Sequence, residues 1–523
     1  METLEKIEII EEDTKNLFAN ISSCGLNGIN AYPVEIEVNI SGGLPNFILV
    51  GLPDAAINES KERVRAAIKS SGYEFPGKKI IINLAPADTK KAGPNYDLPI
   101  AIGILTSTGT IPHENINNLF IAGELGLSGK VRKISGVLSY AILAKSKGAK
   151  GIVIPGENKD EAALIKGLNI YPVSNVCEAI HTINNLEKTK SYISVKENNI
   201  DRTNHLNLSD VKGQILAKRA LVISACGGHH LLMIGSPGSG KSMMAQRLTT
   251  ILPPLQYEEI IEVTRIYSAC GKLSRTNSLI SLRPFRSPHH NISSAGLIGG
   301  GSIPQPGEIS LSHRGVLFLD EFTEFQKSVL DSLRQALETK EITVSRSRKS
   351  CTFPCDFTLI AACNPCPCGY YGDSLKKCTC NNQQIKKYIS KISGPIIDRI
   401  DLMVEVKRLT EKELIGSLPD KISDSEQLKD KIIAAQDFQV KRFKNQNITS
   451  NSHLSSNEIR HFCKIDKDCE LILKEAIKTL MLTGRSYDRV LKVSRTIADL
   501  DKSDIIKDKH ILEALQFRLN FNS

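Results

Sequence analysis

Four apolar residues, Leu231-Leu-Met-Ile234, run directly into Gly235-Ser236-Pro237-Gly238-Ser239-Gly240-Lys241-Ser242. No other stretch limits the fold so tightly. The apolar run reads as a buried strand and the octapeptide as a turn into a helix, the local geometry that lets backbone N–H groups close around phosphate oxygens. Lys241 is then placed to neutralise the β- and γ-phosphates, and the Ser242 hydroxyl to ligate Mg²⁺. The bland alternative is an ordinary Gly/Ser turn.

A second element favours the phosphate loop. Val316-Leu-Phe-Leu319 reads as a buried parallel strand ending in Asp320-Glu321, which puts two carboxylates at the strand edge where α/β sheets bind ligands. Asp320 is expected to hold Mg²⁺ and Glu321 to polarise the attacking water. Taken alone, two acids after an apolar strand are as readily a solvated turn. Together with the loop they predict ATP hydrolysis.

At 523 residues the chain exceeds one core and suggests about three domains. Hydrophobic residues make up 41% and charged residues 24%, an ordinary globular balance. The charged start Met-Glu-Thr-Leu-Glu-Lys has no apolar leader core, and no run approaches a membrane span, so a cytoplasmic protein without membrane contact is expected. Thirteen cysteines without a secretion signal argue for reduced thiols, with metal binding where they cluster. A net charge of +10 is a mild pointer to a polyanionic partner.

The chain divides into four stretches. Residues 1–185 form an α/β domain, alternating from about residue 23 between β-rich runs such as Lys79-Ile-Ile-Ile-Asn83 and helical ones such as Ala55 to Ser70. Residues 186–208 are polar and aperiodic, hence a linker. Residues 209–408 carry the phosphate loop, the acidic strand and a third strand, Phe357 to Ala362. Residues 409–523 repeat helical periodicity in five segments, hence an all-helical C-terminal lobe.

Further candidates surround this set. Asn364, at the end of the third strand, can hydrogen-bond the γ-phosphate or the water, or can simply turn the chain before Pro365. Arg399 can reach a neighbouring subunit's γ-phosphate, or can pair locally with Asp398 or Asp401. Arg485 begins a helix of the C-terminal lobe, with Arg489 one turn on, and one of them is expected to sense nucleotide.

These motifs, in this order, resemble the magnesium-chelatase-like AAA+ ATPases, most closely the ComM/YifB branch. The resemblance rests on Arg283-Pro-Phe-Arg-Ser-Pro-His-His290, on Gly299 to Leu311, on Gly315 to Phe322, on Asn364-Pro-Cys-Pro-Cys-Gly369, on Ser393 to Leu402 and on Ser494-Arg-Thr-Ile-Ala-Asp-Leu500. It implies a Lon-protease-like N-terminal domain of the ribosomal S5 domain 2 type, a central AAA+ P-loop domain, a helical lid and a homo-hexameric ring. It makes Asn364 sensor 1, Arg399 the arginine finger and Arg485 sensor 2. A Lon peptidase needs a Ser activated by a Lys. Here Asn95 stands where the Ser would be and Leu138 where the Lys would be, so a non-proteolytic domain is expected.

Two clusters remain. Cys366-Pro-Cys368 and Cys378-Thr-Cys380 can supply four thiolates to Zn²⁺; free or redox-active thiols are the other reading. Lys340 to Phe353 reads as strand, basic turn, strand, with Arg346, Arg348 and Lys349 at the turn and Lys376, Lys377, Lys386 and Lys387 extending the basic surface. In the resembled family this hairpin projects into the ring pore, where such cations suit the phosphate backbone of single-stranded or branched DNA. Without the ring, a solvated face is the commoner meaning of a charge run. The sequence thus suggests an ATP- and Mg²⁺-dependent DNA motor, resembling a branch-migration helicase of recombination and natural transformation that works beside other recombination proteins. The rival is a protein-remodelling or chelatase-type ATPase acting on a partner protein.

Overall fold

The computed structural model describes residues 18–193, 206–274, 278–301, 304–346, 349–373, 375–392, 394–409, 413, 424–444 and 448–518. They pack as two units. The first holds the residues before the linker together with Tyr257–Ile280; the second holds the rest.

The first unit is a mixed seven-stranded sheet. Its strands are β1 (Phe18–Asn27), β2 (Asn30–Ser41), β3 (Asn46–Val50), β4 (Lys79–Ala85), β5 (Leu119–Ile121), β6 (Gly151–Pro155) and β7 (Asn169–Val173), in the order β3-β4-β2-β1-β5-β6-β7. β1 and β2 form an antiparallel hairpin whose last pair is Asn27 with Asn30, and β5, β6 and β7 run parallel to β1. Val34, Ile36, Val38 and Ile40 face the core from β2 at the period of a half-buried strand. The helix Ala55–Ser70 starts at Asp54, whose carboxylate accepts the Ile57 N–H at 2.9 Å. The helix Asp97–Ser107 is buried along its whole length, so it has no polar face to betray it in the sequence.

The segment Tyr257–Ile280 follows the phosphate-loop region in sequence but belongs to the first unit. Arg265 donates to the Ile29 carbonyl at 3.1 Å and to Asn30 Oδ1 at 2.6 Å, Gly136 N–H donates to the Ser268 carbonyl at 3.0 Å, and Ser268 pairs with buried Glu161. In the same unit Asn95 is buried with its amide donating to the Cys24 carbonyl at 2.9 Å, and Leu138 is fully buried. Neither offers the nucleophile or base of a peptidase.

The second unit is built on a five-stranded parallel sheet: β8 (Leu231–Gly235), β9 (Phe285–Arg286), β10 (Val316–Leu319), β13 (Thr358–Cys363) and β14 (Leu402–Val406), in the order β9-β10-β13-β8-β14. The hairpin β11 (Glu341–Arg346) and β12 (Lys349–Pro354) is inserted between β10 and β13. All four residues of β10 and all five of β8 are buried, as expected of parallel strands covered on both faces.

The C-terminal helices Ser425–Arg442, Ser456–Phe462, Lys467–Thr479, Gly484–Leu500 and Asp508–Gln516 share one hydrophobic core with this sheet. Leu231, Phe318, Ile360 and Val404 belong to the same cluster as Leu491, Ile497 and Phe517, and the Phe517 carbonyl accepts the Met403 N–H at 2.9 Å. Packing therefore does not divide at residue 408. Within Ser494–Leu500, Arg495 is almost fully buried; its Nε donates to Asp499 at 3.1 Å, and Arg442 pairs with the same carboxylate. A buried charge so closely paired holds the lobe's geometry, which accounts for this string without a role at the nucleotide.

Candidate nucleotide site

The C-terminal ends of β8, β10 and β13 lie side by side and present the phosphate loop, Asp320-Glu321 and Asn364 along one edge. Gly240 caps the helix Lys241–Ile251 at φ +93°, a conformation that a residue with a Cβ adopts only under strain. Lys241 turns into the loop: its Nζ donates to the Gly235 carbonyl at 2.6 Å, the Ser236 carbonyl at 3.0 Å and Asn364 Oδ1 at 3.4 Å. Burial lowers its pKa, partly opposed by Asp320. The Ser239 hydroxyl is buried with no hydrogen-bond partner among the described residues. A buried lysine, an orphaned hydroxyl and the N-terminus of an eleven-residue helix suit a polyphosphate.

Ser242 Oγ donates to Asp320 Oδ2 at 2.6 Å, so hydroxyl and carboxylate stand where one Mg²⁺ can be ligated by both. Glu321 follows with φ +50°, uncommon for a residue other than glycine and a pointer to function when it falls beside a ligand loop. Its carboxylate lies 3.0 Å from His290 Nδ1. His290 comes from the segment after β9, and its ring sits 4.1 Å from that of His289. The sequence reading gave His290 no role. The only signal was a His-His pair beginning three residues beyond Arg286, which itself forms a bidentate pair with Glu308 at 2.5 and 2.7 Å.

Arg399, Arg485 and Arg489 are not brought to this edge. The N-terminal ends of β8, β13 and β14 line a cavity of about 270 Å³ that includes His230, Phe357, Asp401, Arg399, Arg489 and Lys492. Five residues of β8 at about 3.3 Å each separate it from the phosphate loop by roughly 16 Å. Arg399 pairs with Glu338, rather than with the Asp398 or Asp401 suggested by sequence proximity, and donates to the Pro395 carbonyl. Its Nε and Arg489 Nη1 are buried without partners among the described residues. Arg489 Nε lies 3.3 Å from Asp401. Burial lowers the Arg399 pKa, as do nearby Arg334, Arg485 and Arg489. Burial alone would raise the Asp401 carboxyl, but His229, Arg489 and His230 hold it well below the usual range.

Three family models match the chain in sequence: the subunit ChlI of Mg-chelatase over residues 36–158, magnesium chelatase subunit ChlI over 207–414 and its C-terminal region over 423–518. The uncharacterised protein YifB of Escherichia coli is 42% identical over 494 residues, 94% of this chain and 95% of that one. The competence protein ComM of Haemophilus influenzae is 41% identical over 494 residues, again 94% and 95%. This chain belongs to the magnesium-chelatase-like AAA+ ATPases of the ComM/YifB family. A Lon protease of Buchnera aphidicola is 27% identical over 159 residues, 28% of this chain, in keeping with a Lon-like α/β element in the fold.

ATP and Mg²⁺ are the cofactors this AAA+ family implies, and the chain's residues fit them. Bound Mg²⁺ neutralises charge on the β- and γ-phosphates. Lys241 would add a cation against the same oxygens, Ser242 and Asp320 would hold the metal, and Glu321 stands where it would polarise the attacking water. Asn364 reaches Lys241 from the central strand of the sheet and so sits between the loop and the acid pair.

The two remaining clusters of this AAA+ chain lie in the same unit. The β11/β12 hairpin pairs in register from Glu341 with Pro354 to Arg346 with Lys349. Arg348 and the side chains of Arg346 and Lys349 lie outside the described residues. At the hairpin's root Asp356 meets Arg314 at 2.9 Å, His453 at 3.3 Å and Lys340 at 3.7 Å, tying it to β10 and to the helical lobe. Cys366, Cys368, Cys378 and Cys380 converge, with sulfur atoms all within 4.8 Å of one another. No described helix is long and apolar enough to cross a membrane.

Proposed function

We propose that this AAA+ ATPase is a cytoplasmic DNA motor. It couples Mg²⁺-dependent ATP hydrolysis to the movement of single-stranded or branched DNA through a homo-hexameric ring, and promotes branch migration in recombination or natural transformation. The observation that carries the reading is the β11/β12 hairpin with its basic turn, inserted between the strand bearing Asp320-Glu321 and the strand bearing Asn364. A change at the γ-phosphate felt by either strand acts on the root of the hairpin. Cations at its tip suit a backbone of phosphates and read no bases. The name of the Haemophilus relative, a competence protein, supports the same direction.

Ring assembly follows from the same reading. An arginine roughly 16 Å from its own phosphate loop, across the length of β8, can act as a finger only on the nucleotide of a neighbouring copy. Arg399 and the lid arginines Arg485 and Arg489 are the candidates for that face.

A second reading draws on the chelatase family models: a ring that remodels a partner protein. ATP hydrolysis measured with no polymer, single-stranded DNA, a branched junction or a protein substrate separates the two, with Glu321→Gln as the inactive control. Stimulation by DNA supports the motor. Stimulation by protein alone rejects it in favour of remodelling.

A further inference from the structure

We propose that Cys366, Cys368, Cys378 and Cys380 bind one Zn²⁺, and that this ion fixes a loop bracing the phosphate loop from behind.

The sulfur geometry is that of a tetrathiolate site. Cys366 Sγ lies 3.4 Å from Cys368 Sγ and 3.7 Å from Cys378 Sγ, and Cys368 Sγ lies 3.5 Å from Cys378 Sγ. Zinc–sulfur bonds of about 2.3 Å arranged tetrahedrally put sulfurs about 3.8 Å apart. The Cys368 N–H points at Cys380 Sγ and the Cys380 N–H at Cys378 Sγ, both at 3.4 Å. Amide donors to sulfur favour the thiolate that a metal requires. This is the one such group of metal-ligating side chains among the described residues.

The loop between the two pairs has little else to hold it. Tyr371 and Leu375, among its largest apolar side chains, are 52% and 69% exposed. A short segment without its own core needs a staple.

The contacts of this loop give the ion a task. Gly369 packs so closely on the phosphate loop that a Cβ there would come within 2.7 Å of Pro237 Cδ, and its φ of +84° favours glycine. Asp373 accepts the Leu375 and Lys376 N–H groups at 2.8 and 3.0 Å, and the nearby Ser236 side chain lowers its pKa. Asn364, two residues before Cys366, accepts from Lys241. Ser236 and Pro237 of the phosphate loop thus meet the segment that the four cysteines close, and Lys241 meets the residue two positions before it.

Zinc content of the full-length protein, purified under reducing conditions, and binding of a fluorescent ATP analogue test this together. We expect about one zinc per chain, its loss in the Cys378→Ser/Cys380→Ser double variant, and a several-fold rise in the nucleotide Kd on zinc removal that ZnCl₂ reverses. Cys177→Ser, at an exposed cysteine in the first unit, is expected to leave both unchanged. Gly369→Ala keeps the zinc and weakens nucleotide binding, so the brace is tested even where the cysteine variant fails to fold. Protein that neither carries zinc nor takes it up from ZnCl₂ overturns the site. Zinc removal or Gly369→Ala without a change in Kd overturns the brace.

Discussion

The two edges of the five-stranded sheet are built from the same strands and hold opposite kinds of site. At the C-terminal edge the functional groups come from short consecutive stretches: eight residues of phosphate loop, two acids, one asparagine. At the N-terminal edge the cavity gathers Lys340, Asp356, Arg399, Asp401, His453 and Arg489, which are scattered over some 150 residues of sequence. The first edge brings together a buried lysine, a hydroxyl and two carboxylates that suit a nucleotide. The second is rich in cations, two of them with nitrogens that have no partner among the described residues, and lies roughly 16 Å from the phosphate loop. On the motor reading proposed above, a subunit organised in this way would hold one nucleotide and offer its arginines to another.

The sharpest way to break this contrast is at the first edge. Glu321→Gln is expected to lower kcat by about a hundred- to ten-thousandfold while ATP binding persists, because only the positioned base is removed. Lys241→Ala should instead lose binding itself. Equal loss of binding in both variants would mean that Glu321 has a structural task, and its contact with His290 would be the place to look.

At the second edge, Arg399→Ala is expected to reduce hydrolysis on the order of a thousandfold, the scale of a finger that stabilises transition-state charge. The decisive measurement is a mixture. Lys241→Ala subunits supply an intact Arg399, and Arg399→Ala subunits supply an intact phosphate loop. Mixed rings should recover activity that neither variant has alone. A mixture as inactive as its parts would remove the division of labour between the edges.

A smaller effect is expected at the hairpin that joins them. Exchanging Arg346, Arg348 and Lys349 for Glu should abolish DNA stimulation and leave basal hydrolysis near its starting value. The salt dependence of DNA binding should become shallower as phosphate contacts are lost. Unchanged stimulation would detach the hairpin from DNA.

The same contrast explains what could be read from the sequence. The phosphate loop, β8, β10 and the helix Ala55–Ser70 were legible because loop chemistry and apolar period are local. Arg399 stood out in the sequence with Asp398 and Asp401 as its near partners, but the partner it takes was not legible: Glu338 is far from it in sequence and reaches it across the fold. The helix Asp97–Ser107 escaped because full burial erases amphipathic period. Tyr257–Ile280 escaped because membership of a unit is decided by contacts such as that of Arg265 with Asn30, which composition does not carry. His290 was quoted within a motif, yet the strand pairing that brings it to Glu321 is a property of the sheet.

The smallest effect tests the chemistry of the second edge through pH. His230 Nδ1 accepts the Leu359 N–H at 3.1 Å, a bond that only the neutral ring can make there. Burial pushes its pKa down from 6.5 to about 4, with Asp401 opposing and His229, His453 and Arg489 adding to the shift. The unfolded chain therefore takes up this proton before the folded one does. The contribution of the neutral ring is fully present above about pH 6.5 and is lost as pH falls towards 4, by at most about 3 kcal/mol. Asp356 and Asp401, held well below the usual carboxylate range by their cationic neighbours, lose their contribution only at lower pH, from about 4 downward. Urea midpoints measured at pH 7.5, 6.5, 5.5 and 4.5 should decline through the upper window, and His230→Asn, which keeps an acceptor but does not titrate, should flatten that part of the curve. A decline of equal slope in His230→Asn would assign the acid sensitivity elsewhere and leave the charge balance of the cavity to its carboxylates alone.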